Sequence, residues 1–365
     1  MYLNFGPFLT NFIISNIAAI CIAYWIKKTY HFGLAFSRIL IALIFICTLR
    51  MFLPMDFFFT KSIHSTVVLP ALFDFVRKPF WKSFSILRVL FIIWGAGAAW
   101  KTAAALRDRY CLGKTLTLFT EVTDERILAV FQRVNHKKYP IRLMQGEIAS
   151  AKIVGLLRPV ILLPNQNFDE EELTHIFSHE IGHYAHHDLW LKLFVHITRI
   201  IYWWNPLMKY LSMPVHEMTE LRNDLSVVDD MDQKERLEYA ACIVAMAEQA
   251  QPMPEPAYAF SMSETDTLKK RINSLVTRTH MQPKQMVAML LLSLLVISPF
   301  FVNVNAEYPI PQGVFTTQED HMFILHINGH YYLFINGIKA TELDGQPDTE
   351  DIPIVEEGEG FYNEK

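Results

Sequence analysis

Cysteine is scarce in this chain: Cys21, Cys47, Cys111 and Cys242 lie far apart, with no C-x-x-C among them. That spacing excludes a disulfide framework and a thiolate zinc site, and leaves all four to be small buried hydrophobes. Charge is missing from residues 1–26 and again from 285–306. No basic segment precedes the first of these runs, so it reads as a retained anchor, not a cleaved leader. A basic surface of the kind that grips nucleic acid is missing too, so no direct nucleic-acid partner is expected. Serine is absent from residues 305–365, which hold twelve acids against two lysines; the formal net charge of -4 therefore conceals an excess of about +6 in the rest of the chain.

What is abundant is apolar surface. Hydrophobic residues make up 52% of the 365, above what soluble domains usually carry, and a lipid bilayer is the expected partner for that excess. Four spans are expected, at about 6–26, 35–53, 85–106 and 285–306; the fourth is uncharged for long enough to cross roughly 30 Å of hydrocarbon at ~1.5 Å per residue, whereas Arg88 and Lys101 intrude on the third, whose alternative is a buried soluble helix that would turn the tail inward. Arg38 and Arg50 flank the second, where long cationic side chains can reach the headgroups. Basic clusters at Lys27, Lys28 and Arg38, at Lys101 to Lys114 and at Lys269 to Lys284 all fall on one side of such an arrangement. By the positive-inside rule that side is the cytoplasm. The expected fold is an α-helical multi-pass membrane protein. Residues 1–106 form three spans with a short extracytoplasmic loop, 107–284 a cytoplasmic α+β domain, 285–306 the fourth span and 307–365 a small extracytoplasmic β tail.

Within the cytoplasmic segment, "IRLMQ" and "VILLP" alternate with Gly146, Gly155 and Pro159, the pattern of a small sheet. A helix should follow, capped by Asn167 with Glu170 closing a capping box, and should run to about Tyr184 or beyond. It carries "FSHEIGHYAHHDLW", residues 177–190, with His179 and His183 one turn apart on one face. Two imidazoles at i and i+4 can close on one Zn²⁺, and the carboxylate of Glu180 beside the first can take a proton from a water that the metal acidifies. Glu180 is therefore the expected catalytic base. His186 and His187 read as solvated side chains.

Two histidines leave such a site one ligand short. The sixth residue after His183 is Leu189, not histidine. Downstream, "VHEMTELRNDLSVV" places Glu220 and Asp224 one helical turn apart, so that Glu220 can be the third ligand while Asp224 accepts a hydrogen bond from a ligand imidazole and fixes its tautomer. His216 and Glu217 are rival ligands. Asp188 is a further supporting or salt-bridging group. The segment between, "LWLKLFVHITRIIYWWNPLMKYL", is apolar but broken by Lys192, Arg199 and Lys209, and should lie along the membrane or under the site.

Taken together, "GLLRPVILLP", "FSHEIGHYAHHDLW", "WWNP" at 203–206, the E-x-x-x-D of Glu220 and Asp224, and "LKKRINSL" resemble the BlaR/MecR-type antirepressor family of integral-membrane zinc metallopeptidases. The resemblance covers most of residues 1–305. It implies a gluzincin-like peptidase with His179, His183 and Glu220 on Zn²⁺ and Glu180 as base, a bacterial cell membrane, a protein substrate such as a transcriptional repressor, and a homodimer. Two departures stand out. Arg222-Asn223 replaces the Ala-Cys often found in the family before the aspartate, and the serine-free tail is expected not to be the acylated β-lactam receptor of the family's sensors.

The tail instead offers "HMFILHINGHYYLFINGIKATEL", in which Asn328-Gly329 and Asn336-Gly337 fit tight hairpin turns of a three-stranded meander, with a disordered acidic end after Asp344. The functional expectation is a membrane-bound zinc metalloendopeptidase acting at the cytoplasmic face in signal-dependent regulatory proteolysis, not a β-lactam binder, with Gln251–Pro283 as a candidate self-cleavage stretch. The alternatives are a housekeeping Ste- or HtpX-type membrane peptidase and, from another class, a non-catalytic membrane receptor or scaffold with structural zinc. A site-2 intramembrane protease fits less well, because "LDG" at 343–345 lies in the tail and "FDEEELTHIFSHE" is polar.

Overall fold

A computed structural model describes residues 5–29, 33–53, 57–81, 84–249, 264–277, 282–306, 322–327, 330–335, 338–343, 352 and 354–356. In chain order, α1 (Phe5–Lys28) and α2 (Leu34–Phe52) come first, followed by β1 (Lys61–Ser65), α3 (Val68–Arg77), β2 (Pro79–Trp81), β3 (Phe84–Ser85) and α4 (Ile86–Leu116). A mixed stretch comes next: β4 (Thr120–Glu121), α5 (Glu125–Val134), β5 (Arg142–Gly146), β6 (Lys152–Val154) and β7 (Val160–Pro164). Then come α6 (Glu170–Ala185), α7 (Asp188–Ile201), a 3-10 turn over Pro206–Met208, α8 (Lys209–Val227), α9 (Gln233–Gln249), α10 (Glu264–Val276) and α11 (Pro283–Phe301). The last elements are β8 (Val302–Ala306), β9 (Met322–Ile327), β10 (His330–Ile335), β11 (Ile338–Leu343) and β12 (Ile354–Glu356). Two compact units result: Met1–Pro7, Met55–Leu90 and Val302–Lys365 form one, Phe8–Pro54 and Phe91–Phe301 the other.

Among the described residues four helices are long and apolar enough to cross a membrane: Phe8–Lys28, Leu34–Phe52, Ile86–Leu116 and Pro283–Phe301. They coincide with the four expected runs, with corrections. The third helix continues ten residues past Leu106, through a polar stretch that holds no proline and a single glycine, Gly113. The fourth ends at Phe301, because "VNVNA" alternates apolar and polar residues with period two and forms β8 instead. Arg50 does not reach toward headgroups; it is buried, donating to Leu53 O at 3.1 Å and Pro299 O at 2.6 Å. Two of the cysteines expected to be buried, Cys21 and Cys111, are exposed.

In the larger unit, α1, α2 and α11 share one core with α7 and α8. Ile22, Leu40, Ile44, Val195, Leu211, Met218, Met289 and Leu292 all belong to it. The apolar segment after the histidine motif thus packs on the candidate spans. "WWNP" and the tyrosine before it contribute polar ties to this packing: Asn205 donates to Asn16 Oδ1 at 2.8 Å in α1, and Tyr202 OH donates to Met51 O at 2.8 Å in α2. Side-chain hydrogen bonds of this kind fix helix neighbours where the surrounding lipid gives no hydrophobic preference.

The sheet of this unit has the order β4-β5-β7-β6, with β5 and β7 parallel and the outer pairs antiparallel. The pattern anticipated β5 to β7, but not β4, which is only two residues long. "VILLP" is buried along its whole length because it is flanked on both edges and covered, and a strand so placed reads as an unbroken apolar run. Helix α6 lays Leu173, Ile176, Phe177 and Ile181 against a core that includes Ile161, Leu163 and α5, with Phe131 edge-on to Phe177 at 5.3 Å. Fully buried Leu173 and Phe177 each contribute about 1.5–3 kcal/mol by area. The strand that flanks β7 on its free side, β6, is an edge.

In the other unit, β1 pairs in parallel with β8 and α3 packs on both. The tail forms the expected antiparallel β9-β10-β11 meander, pairing through His330↔Ile327 and Ile335↔Ile338. The turn residues Asn328-Gly329 and Asn336-Gly337 lie outside the described residues. Within the acidic end expected to be disordered, Ile354–Glu356 forms a fourth strand parallel to β9, where Ile354 and Val355 make an apolar, β-branched pair; apart from these and residue 352, that end lies outside the described residues. Most of Gln251–Pro283, namely 251–263 and 278–281, also lies outside the described residues, whereas 264–276 is helical.

Candidate metal centre

Helix α6 is placed by its N-terminus. Asp169 is the cap: its Oδ1 accepts from Glu172 N at 2.7 Å, and Glu172 Oε2 accepts from Asp169 N at 3.0 Å. The helix therefore starts two residues later than an Asn167 cap predicts, because Phe168 is drawn into the core. It ends at Ala185, and His187 takes a left-handed conformation (φ 60°) that turns the chain into α7. That turn brings Asp188 back under α6.

His179 and His183 of α6 meet Glu220 of α8, with ligand atoms from all three within 4.8 Å of one another. The two Nε2 atoms are 3.2 Å apart, His179 Nε2 is 3.4 Å from Glu220 Oε2, and His183 Nε2 is 3.4 Å from Glu220 Oε1. Donors bound tetrahedrally at about 2.1 Å from one Zn²⁺ stand about 3.4 Å apart, so the set of two imidazoles and one carboxylate fits that ion. Of the rival ligands, Glu217 turns away into a buried pair with Lys270 at 2.7 Å, and His216 is an exposed side chain 3.7 Å from Glu220. Neither joins the cluster.

Each imidazole is held from behind. His183 Nδ1 lies 2.7 Å from Asp188 Oδ2, and His179 Nδ1 lies 3.1 Å from both Asp224 Oδ1 and Tyr239 OH. Both carboxylates are themselves held: Asp188 by Arg222, and Asp224 by Arg271 at 2.6 Å and Tyr239 OH at 3.1 Å. Acceptors on Nδ1 leave Nε2 free to face the shared centre. Burial disfavours charge on His179, but Asp224 and Glu220 outweigh it and push its pKa up to about 10. Burial would raise Glu220, yet the two imidazoles hold it well below the usual carboxylate range. Asp224, opposed by burial but paired with Arg271 and His179, falls to about 2.

Glu180 is buried beside the cluster, and its carboxylate accepts a 2.5 Å hydrogen bond from Ile153 N in β6. Burial pushes its pKa up, which favours uptake of a proton. Residues not singled out from the sequence complete the site. Asn223 donates to His179 O at 2.6 Å, and a Cβ on Gly182 would overlap Asn223 Oδ1, which is why glycine follows the Glu180-Ile181 pair. Arg222 and Asn223, which looked like a departure from family pattern, are thus both bound to the motif. Tyr239 and Arg271 come from α9 and α10; "LKKRINSL" was the visible signal for the second. His186 is half-buried and not fully solvated, while His187 is exposed.

A family model described as BlaR1 peptidase M56 matches residues 33–275, about two thirds of the chain and every residue of this centre. The chain belongs to the BlaR1 peptidase M56 family. The regulatory protein BlaR1 of Bacillus licheniformis is 29% identical over 163 residues, covering 42% of this chain and 27% of that protein. The methicillin resistance protein MecR1 of Staphylococcus aureus is 22% identical over 135 residues, 36% of this chain and 23% of that one. The matches thus span about a quarter of each relative's length. This M56 member thus combines a peptidase-family domain with four described helices that are long and apolar enough to cross a membrane.

Proposed function

We propose that this M56 member is a membrane-bound zinc endopeptidase that cuts proteins at the cytoplasmic face, in signal-dependent proteolysis of the antirepressor type. The observation that carries the reading is the convergence of His179, His183 and Glu220 with both imidazoles held at Nδ1 and Glu180 buried alongside. A structural zinc site needs no such base. In this reading Zn²⁺ held by those three residues supplies Lewis acidity to a water and a peptide carbonyl. Glu180 takes the proton from the attacking water and returns it to the leaving amine. Asp188 and Asp224 keep the imidazoles in one tautomer, and β6, as an edge strand next to Glu180, offers a place for an extended substrate to add as a further strand.

The relatives carry the regulatory part of the proposal: BlaR1 bears the name of a regulatory protein and MecR1 that of a resistance protein. On this reading the substrate is a repressor or the protein's own connecting segment, the basic side of the spans is cytoplasmic, the tail sheet is extracytoplasmic, and two copies pair. The test is cleavage of a protein substrate by the purified full chain. Glu180→Gln should lower the rate at least ~10²-fold while one zinc per chain is retained by metal analysis. Cleavage at the parental rate by that variant overturns the proposal.

A further inference from the structure

Beside the metal centre, and not part of it, a groove of about 510 Å³ opens between α2 and α7. Ligand sites typically enclose about 300–1,000 Å³. Its two walls are one face of each helix: Arg38, Ile41, Ala42, Phe45 and Leu49 follow a helical repeat on α2, and Trp190, Leu191 and Phe194 do so on α7, with His187 at the N-cap of that helix. The helices run side by side, with Phe194 against Phe45 at 5.5 Å and Phe52 at 5.7 Å.

The groove is polarised along its length. At one end stand Arg38, His186, His187 and Arg222; the remainder is Ile41, Ala42, Phe45, Leu49, Trp190, Leu191 and Phe194. Arg38 is exposed and makes no hydrogen bond or ion pair with a described residue, and it lies in the first turns of an apolar helix, where headgroups are expected. Arg222 is 8% exposed; one of its nitrogens binds Asp188, and its buried Nε–H meets no acceptor. His186 Nδ1 is also buried without a partner. Asp188, the carboxylate nearest this end, is already engaged by His183 and Arg222. The polar end therefore carries the positive charges of Arg38 and Arg222, and no carboxylate is among the residues that line it.

We infer that this groove binds one anionic phospholipid, its phosphate between Arg38 and Arg222 and an acyl chain along Phe45, Leu49 and Phe194. Charge and apolarity are arranged in the order that such a molecule presents them, and α2 is a helix apolar enough to lie among lipids. The bound headgroup stands one ion pair from Asp188, and through it from His183.

The experiment uses the full chain carrying Glu180→Gln, so that the result does not depend on peptidase activity. The detergent-purified protein is mixed with phosphatidylglycerol or phosphatidylcholine and bound lipid is counted by native mass spectrometry. One phosphatidylglycerol per chain should be retained about tenfold better than phosphatidylcholine. Arg38→Gln and Ala42→Phe, both at exposed positions, should each reduce that retention about fivefold or more while leaving the melting midpoint of the lipid-free protein in place. Equal retention of the two lipids, unchanged retention in both variants, or full displacement of the lipid by millimolar inorganic phosphate overturns the inference.

Discussion

Asp188 is 1% exposed and accepts from both His183 and Arg222, so its carboxylate aligns a ligand while neutralising a buried cation. Asp188→Asn keeps the shape but removes the charge from both contacts. Zinc affinity should fall about 10–100-fold, read by competition with a chelating dye. Gly182→Ala acts from the other side, by displacing the Asn223 side chain that ties α8 to the carbonyl of His179. A fall of about 1–3 kcal/mol in stability by denaturant titration is expected, with weakened zinc binding. At this scale the sequence was informative wherever spacing along one helix sets the geometry. His179, Glu180 and His183, and the Glu220–Asp224 pair, could be read because a turn of helix fixes them. The link from Arg271 or Tyr239 to Asp224 could not be read, because it joins helices 15 to 47 residues apart, and no local period records such a meeting.

Helix α10 shows how one element serves two ends. Lys270 donates to Glu217 at 2.7 Å and to Ile26 O at 2.9 Å, and the next residue, Arg271, holds Asp224. Neighbouring residues on α10 therefore bind the last turn of α1 and the support of a ligand histidine. Lys270→Met leaves Glu217 buried without its partner, which should cost about 3–5 kcal/mol in stability, measured as a lower melting midpoint. Arg271→Leu should cost a similar amount, and in addition release His179 and weaken zinc binding, which the Lys270 variant should not do directly. Elements were legible to the extent that composition alone determines them. "VILLP" and the four apolar runs qualify. The start of α6 was misplaced by two residues because the burial of Phe168, a tertiary contact, outweighed the local appeal of Asn167. The end of the fourth span was misplaced because the absence of charge does not distinguish helix from strand, whereas the alternation in "VNVNA" does.

At the scale of the whole molecule, the two largest apolar cores hold none of the three candidate metal ligands and not Glu180. The core of α1, α2, α7, α8 and α11 and the core of the β4-β5-β7-β6 sheet consist of aliphatic and aromatic groups on either side of the metal centre. Removal of zinc should therefore abolish activity and lower the melting midpoint without loss of helix content at 25 °C, checked by circular dichroism with and without chelator. Ligand linkage sets the size of that shift, about 4 kcal/mol at a thousandfold excess of metal over its dissociation constant. Collapse of the helical signal on chelation would mean that the ion is structural.

The attachment of α10 and α11 has one more result. Everything after residue 264 in the larger unit is fastened to what precedes 250 by the Lys270 and Arg271 contacts, by Arg50 on Pro299 O, and by Met289, Leu292 and Val296 in the shared core. A single backbone scission between α9 and α10 would consequently yield two polypeptides on a denaturing gel and one particle in detergent. Severing the chain there would erase a covalent tether without separating the pieces.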